Sequence, residues 1–331
     1  MTSVLASTVP GMIAQAVPAQ MEKQVTETSV TSLKDVDSKI VQAAQKKLEE
    51  ITGKTYTFSK NEPWSIREDS GWSFEVQGLE HSQVMVKKTG EVQNVFLDVK
   101  WNDLKDSLKQ EMKAALQQVF PGSNLQVDEV NLSVQYGDFP ANHPIKNGAV
   151  YMHADIDKTS ITLENGKLIT IFKSLTPEEV DKAALKAAEG VFVGLNSLGL
   201  QKKPLKTSSL TVKDGKEIYT FTFSDSDTES PVFIVVEKGT NKIMNIQARG
   251  LEDTTAEYAT VRDKLEGYSE QQLLKQATVQ AKQLLSMDLT GYKVSKAPQM
   301  LNAVYFTKKG TPTLVGQYNS KGQFYVLGFK E

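Results

Sequence analysis

Histidine and aspartate alternate in one short segment of the sequence, where they could bind a divalent cation. His153, Asp155 and Asp157 are two positions apart, so in a β-strand their side chains lie on the same face. His143 precedes them and Glu164 follows. Imidazole and carboxylate groups are common ligands of zinc and related metals. The same alternation is also typical of the solvent-facing side of an antiparallel sheet. We therefore predict a polar sheet face here and assign no metal ligands.

A second acidic segment, Ser224-Asp225-Ser226-Asp227-Thr228-Glu229, is similar to a calcium-binding loop. It lacks the glycine and the distant bidentate glutamate that an EF-hand requires. The segment therefore predicts a solvated hairpin loop, and calcium binding by Asp225, Asp227 and Glu229 is left open.

Other groups that perform catalysis are scarce. The chain has no cysteine and only three histidines, so thiolate nucleophiles, zinc–thiolate sites and disulfides are excluded. It contains no Gly-x-Ser-x-Gly, His-Glu-x-x-His or phosphate-binding glycine motif. His81 is expected in a surface loop. Trp64, Trp72 and Trp101 are expected in the core, or in an aromatic binding patch if exposed. We predict no catalytic residue, no cofactor and no metal.

The composition excludes further classes of protein. The 331 residues include 38 Lys and Arg against 40 Asp and Glu, a formal net charge of −2, and 39% are hydrophobic. Such a balance argues against nucleic-acid binding, and the basic segment 201–206 is too short to change this. No apolar run approaches the roughly 18 residues of a spanning helix, so we predict no transmembrane segment.

The first 31 residues are predicted to be a flexible leader. Residues 4–14 are mildly apolar, and Ala14-Gln15-Ala16 has the small-x-small form of a signal-peptidase site, although a basic region before it is missing. We interpret the leader as the remnant of a secretory signal and predict a secreted or cell-surface protein. The alternative is a plain polar leader.

Four stretches have the apolar spacing of an amphipathic α-helix, with apolar residues three or four positions apart. These predicted helices cover residues 35–51, 104–119, 176–191 and 269–290, and a short additional helix is predicted at 255–265. Capping boxes are predicted at Ser32 and over residues 269–272. A third is predicted at Thr176, where the Glu179 side chain can reach back to the Thr176 amide. Gly53 is placed to end the first helix.

Strand-like runs follow each helix and end in a hairpin whose turn contains a glycine. These glycines are Gly90, Gly166, Gly239 and Gly322, separated by 76, 73 and 83 residues (166−90, 239−166, 322−239). The near-constant spacing predicts an α+β fold of four tandem helix-plus-antiparallel-sheet units, each a two-layer sandwich. The predicted repeats are residues 32–100, 101–174 and 175–250, followed by a linker segment and the fourth repeat within 251–331.

A helix followed by strands of the form Trp-x-Phe-x-Val and Val-x-Val-x-x-x-Gly-x-Val resembles PepSY-type domains. Trp72, Phe74, Val84, Val86 and Gly90 carry this pattern in the first repeat. The arrangement is similar to the tandem YcdB/YcdC-type repeats of exported Gram-positive proteins. The resemblance implies a cystatin-like α+β unit, a regulatory role near extracellular peptidases or the cell envelope, and no catalytic residues.

Three functions are consistent with these observations. The first is an exported, non-catalytic protein that binds or modulates a peptidase or another component of the cell envelope. The second is a structural subunit of a surface layer or fibre, in which residues 25–31 add as a strand to a neighbouring copy. The third is a hydrolase that uses carboxylates alone. Asp and Glu are plentiful in the sequence, so their presence neither favours nor excludes such an enzyme.

Overall fold

The computed structural model of the chain describes residues 33–66, 69–122, 126–137, 145–213, 215–226, 230–253, 255–298 and 300–330. The first predicted helix is present as α1 (Ser38–Thr52). Asp37 begins the helix, and its carboxylate accepts a hydrogen bond of 2.8 Å from the Lys39 amide. Gly53 ends it in the left-handed conformation (φ +75°), as expected. The predicted cap Ser32 lies outside the described residues.

The other predicted helices are also present, with different bounds. They are α2 (Asp106–Val119), α3 (Lys182–Ser197), α4 (Thr255–Gly267) and α5 (Glu270–Leu285). Glu179 does bind the Thr176 amide at 2.9 Å, but this closes a turn, and Asp181 caps the helix itself. The capping box at Ser269 is confirmed. The helix predicted over residues 269–290 is α5, and it ends earlier than predicted because Ser286 adopts the left-handed conformation.

In the part of the chain that the structure describes, sixteen strands accompany these helices, and four strands follow each of α1, α2, α3 and α5. The first eight are β1 (Phe58–Ile66), β2 (Asp69–Val76), β3 (Gln83–Lys87), β4 (Val92–Lys100), β5 (Glu129–Gln135), β6 (Val150–Ile156), β7 (Thr159–Glu164) and β8 (Lys167–Ser174). The second eight are β9 (Leu205–Lys213), β10 (Lys216–Phe223), β11 (Val232–Glu237), β12 (Ile243–Ala248), β13 (Lys293–Lys296), β14 (Ala303–Thr307), β15 (Leu314–Tyr318) and β16 (Phe324–Phe329). The predicted turn glycines have φ between +73° and +88°, a range in which glycine is unstrained.

The strands of successive repeats pair into continuous antiparallel sheets, and this finding overturns the predicted fold class. β1 to β8 lie side by side in sequence order, and β9 to β12 are followed by β16, β15, β14 and β13. The expected four separate two-layer sandwiches are wrong, because the strands of successive repeats pair with one another: β4 pairs with β5, and β12 pairs with β16. A separate four-stranded sheet would leave two edges with unpaired backbone groups, and pairing between successive repeats satisfies the edges at which they meet.

The described residues divide into two compact units, which we call the N-terminal unit (residues 33–172) and the C-terminal unit (residues 173–330). Buried apolar side chains form two clusters, one in each unit. Each cluster therefore contains buried residues from two of the predicted repeats. This sharing is expected, because about 75 residues alone can form only a small core. The repeat boundaries at residues 100, 174 and 250 stay a prediction.

In the N-terminal unit, α1 packs on β3 and β4. Ile40, Ala44 and Leu48 lie one helical turn apart on its buried side and belong to the same cluster as Val84 and Val95. Both α1 and α2 contribute to this cluster, so the two helices share one core.

In the C-terminal unit, α3 packs on β10 and β11, and α5 packs on β12, β13 and β16. The two helices also contact each other, and a Cβ atom built at Gly194 of α3 would lie 2.6 Å from Leu284 Cδ2 of α5. Gln280 of α5 is only 3% exposed and bonds the backbone of Phe324, whose N–H donates to its Oε1 at 2.9 Å. This bond attaches α5 to the sheet at the register shift between β15 and β16.

Candidate functional site

In each unit, the helices pack against one face of the strands, and we call the opposite face of those strands the outer face. Side chains alternate between the two faces along each strand, so the outer positions follow from the register and from membership of the core clusters. Val130, Leu132 and Val134 of β5, for example, belong to the core cluster, which leaves Asn131 and Ser133 on the outer face.

The outer face of the N-terminal unit carries two rows of side chains that run across β4, β5, β6 and β7. The first row consists of Phe96, Ser133, Tyr151 and Glu164, each directly opposite the next. The second row, which we call the polar row, consists of Asp98, Asn131, His153 and Thr162.

The polar row is held by its own hydrogen bonds. Asn131 donates from Nδ2 to Asp98 Oδ1 at 2.6 Å. His153 Nδ1 lies 3.0 Å from Thr162 Oγ1, and its Nε2 lies 3.3 Å from Asp155 Oδ1. The predicted polar sheet face is therefore present, with His153 and Asp155 both on it.

These contacts do not assemble a metal site. Asp157 lies in the β6–β7 turn with φ +54°, and Glu164 pairs with Lys146. His143 lies outside the described residues. Over the ranges that the structure covers, no three His, Asp or Glu side chains lie close enough together to hold a metal ion.

The acidic segment at 224–229 is only partly described. Asp225 lies 3.6 Å from Lys203 Nζ through Oδ2, so its carboxylate faces an ammonium group. Asp227 and Glu229 lie outside the described residues, and calcium binding by this segment is still a prediction.

The three tryptophans do not form one aromatic patch. Trp72 and Trp101 are partly buried and pack against the N-terminal core cluster. Trp64 pairs with Gly71 across β1 and β2, and a Cβ atom built at Gly71 would lie 2.8 Å from its Cζ2. His81 is exposed in the β2–β3 connection, as predicted, with φ +52°.

The outer face of the C-terminal unit, unlike that of the N-terminal unit, has two rows without charged residues, and the sequence patterns did not predict them. One row consists of Val235, Asn245, Gly328, Val315 and Tyr305, in that order across β11, β12, β16, β15 and β14. The adjacent row consists of Phe233, Gln247, Val326, Gln317 and Ala303. We call these ten positions the uncharged patch, because none of them is Asp, Glu, Lys or Arg.

The apolar members of the uncharged patch do not belong to the core. Phe233, Val235, Val315, Val326 and Tyr305 are each partly exposed, and none of them packs against the C-terminal core cluster. The uncharged patch crosses five strands, which are separated by four spacings of about 4.8 Å, so it extends about 19 Å from β11 to β14.

Polar atoms on this outer face lack partners. Thr220 pairs with Val235 across β10 and β11, and its Oγ1 is buried with no hydrogen-bond partner in the described part of the chain. Asn245 is partly exposed as a residue, but its Oδ1 is also buried with no hydrogen-bond partner among the described residues. Unpaired buried polar atoms are uncommon in folded proteins, and such an atom is stabilised when a donor reaches it.

One sequence signal could have revealed this surface. β11 has five consecutive apolar residues, Val232 to Val236, whereas a strand with one solvated face alternates. The run indicates that both faces of β11 are suited to burial.

Comparison of the chain with protein-family models found no match, and comparison with curated proteins found no significant match. The PepSY-like resemblance therefore depends on the sequence pattern alone and stays a prediction. In the part of the chain that the structure describes, no helix is long and apolar enough to cross a membrane.

Proposed function

We propose that the chain is an exported, non-catalytic protein that binds a protein partner of the cell envelope, such as a peptidase, through the uncharged patch of its C-terminal unit. The observation that carries the proposal is the absence of charge from ten neighbouring outer positions that include five partly exposed apolar side chains.

The composition of the patch supports a protein as the partner. The centres of protein–protein interfaces are depleted of charged residues and rich in aromatic and aliphatic side chains. Contiguous apolar surface that the core does not use is also a recognised sign of an interaction site. Gln247, Gln317 and Asn245 add amide groups that can make directional hydrogen bonds to the partner.

The test is site-specific photo-crosslinking in cultures of the producing organism. A photoreactive amino acid at Val235 is expected to crosslink to one defined protein, whereas the same probe at Gln135, on the outer face of the N-terminal unit, is expected not to. The charged variant Val235→Lys should abolish the interaction, and the matched variant Gln135→Lys should leave it unchanged.

Two further readouts separate the alternatives. A peptidase partner predicts that the purified chain changes proteolysis in the culture medium and that Val235→Lys does not. Crosslinking of Val235 to a second copy of this chain would favour the surface-layer alternative. Equal crosslinking from Val235 and Gln135 would contradict the proposal.

A further inference from the structure

On the outer face of the N-terminal unit, two aromatic side chains flank one small side chain, and we call the space above that small side chain the slot. Phe96 on β4 and Tyr151 on β6 lie in one row, and only Ser133 of β5 stands between them. Neither aromatic residue belongs to the core cluster, and both are partly exposed. The strands β4 and β6 are two spacings apart, so the backbones of Phe96 and Tyr151 are separated by about 9.6 Å. The backbone of Ser133 lies midway, about 4.8 Å from each of them.

The small side chain of Ser133 decides what this slot can accept. Carbon atoms are in favourable contact at about 3.5–4 Å, so a flat group inserted above Ser133 can touch both aromatic side chains. The Tyr151 hydroxyl accepts a hydrogen bond from the Lys146 amide at 3.0 Å and lies 3.4 Å from Glu164 Oε2. These contacts hold the hydroxyl on the side of Tyr151 away from Ser133, because Glu164 lies on β7.

The polar row supplies hydrogen-bonding groups directly beside the slot. Asn131 and Asp98 are bonded to each other through one N–H and one carboxylate oxygen. An amide has two donors and a carbonyl acceptor, and a carboxylate has two acceptor oxygens, so both side chains have further capacity. An amide and a carboxylate in fixed positions can bind two neighbouring hydroxyl groups of one ligand.

The charge of the surface limits the ligand class. Asp98, Asp155 and Glu164 lie on this face, and Lys146 pairs with Glu164 at its edge. A phosphate-rich or uronate-rich polymer would be repelled by the remaining carboxylates. A neutral ring with an apolar face and several hydroxyl groups matches both the slot and the polar row.

We propose that the outer face of β4–β7 is a binding site for a neutral glycan, in which one hexopyranose ring enters the slot between Phe96 and Tyr151. Its apolar face contacts the aromatic side chains, and its hydroxyl groups bond to Asn131 and Asp98. The site lies in the N-terminal unit and does not depend on the uncharged patch of the C-terminal unit, so the two proposals can fail separately.

The experiment is calorimetric titration of the full chain with cellohexaose, chitohexaose, mannohexaose and maltohexaose, with hexagalacturonate as the anionic comparison. At least one neutral hexasaccharide should bind with a Kd at or below about 1 mM. Hexagalacturonate should not bind. Binding of none of the neutral sugars, or equal binding of hexagalacturonate, would overturn the proposal.

Three variants locate the site. Ser133→Leu fills the slot and should abolish binding, and Tyr151→Ala removes one wall and should weaken it by about tenfold. Gln135→Ala, on the same strand outside both rows, should bind like the wild type. All three positions are on the outer face, and circular dichroism of each variant is the check that it is folded. Unchanged affinity of a folded Ser133→Leu variant would contradict the proposed slot.

Discussion

The buried hydrogen bonds between Gln280 and Phe324 predict a specific loss of stability. Gln280 is 3% exposed, and its Oε1 accepts the Phe324 N–H at 2.9 Å while its Nε2 lies 3.4 Å from the Phe324 carbonyl oxygen. Phe324 is 1% exposed, so water cannot readily replace the lost partner. We expect Gln280→Met, which preserves most of the volume, to leave the Phe324 N–H unpaired and to lower the free energy of unfolding by about 1–3 kcal/mol.

Truncation to alanine adds a packing loss. Gln280→Ala also leaves a cavity beside Phe324, so we expect a total loss of about 2–4 kcal/mol. For a domain of this size, each kcal/mol lowers Tm by about 2–4 °C. The matched control is Gln276→Met, one turn earlier on the exposed side of the same helix, which should change stability by less than about 0.5 kcal/mol.

The assay combines urea unfolding with amide hydrogen exchange read at individual residues. In Gln280→Met, exchange at the Phe324 amide should accelerate more than exchange elsewhere in β15 and β16. A Gln280→Met variant with wild-type stability and wild-type protection at Phe324 would show that Gln280 does not satisfy the Phe324 N–H.

Two further predictions concern α3 and the turn before it. The hydrogen bond from Lys173 at 2.6 Å is the main cause that lowers the pKa of Glu179 from 4.5 to about 2. Because the folded pKa is depressed, the stabilisation is present above about pH 4.5 and is lost as pH falls towards 2; a carboxyl NMR titration with a midpoint near 4.5 would contradict it. Gly194→Val should destabilise the unit by about 1–3 kcal/mol, because the added side chain meets Leu284. Gly190→Ala, which meets nothing within 4 Å, should stabilise it by about 0.5–1 kcal/mol, and chemical unfolding of both variants tests the contrast.

Local features were accessible from the sequence because they depend on residues close together in the chain. The capping box at Ser269, the left-handed Gly53 and the turn glycines all follow from backbone preferences of a few neighbouring residues. Asp181 replaced Thr176 as the cap of α3, because its carboxylate reaches two amides, those of Ala183 and Ala184.

The joining of the repeats was not accessible in the same way. Ile246 and Leu327 pair across β12 and β16 although many residues and two helices separate them. Amphipathic periodicity shows that a strand has a buried face, but it does not show which strand lies beside it. The prediction of four separate sandwiches failed at this step, and the uncharged patch was missed with it, because its rows cross the β12–β16 pair.

For the candidate sites, the alternation of His153 and Asp155 was sufficient to predict a polar sheet face. It was not sufficient to identify Phe96, Ser133 and Asn131 as neighbours, since these residues come from strands that pair only in the folded chain. Cross-strand registers of this kind depend on tertiary packing.

A cysteine pair at Gln247 and Val326, which lie directly opposite each other on β12 and β16, tests whether the third and fourth repeats share a sheet. The chain has no other cysteine, so every crosslink formed comes from the introduced pair. Opposed Cβ atoms in an antiparallel pair are about 4.5–5.5 Å apart, close to the range of a disulfide, whereas Phe233 and Val326 are two strands apart. Direct pairing of β12 with β16 predicts an intramolecular disulfide in the oxidised Gln247→Cys/Val326→Cys protein and none in Phe233→Cys/Val326→Cys. Two free thiols in the first variant, in a folded monomer, would contradict the pairing of β12 with β16 and the uncharged patch that depends on it.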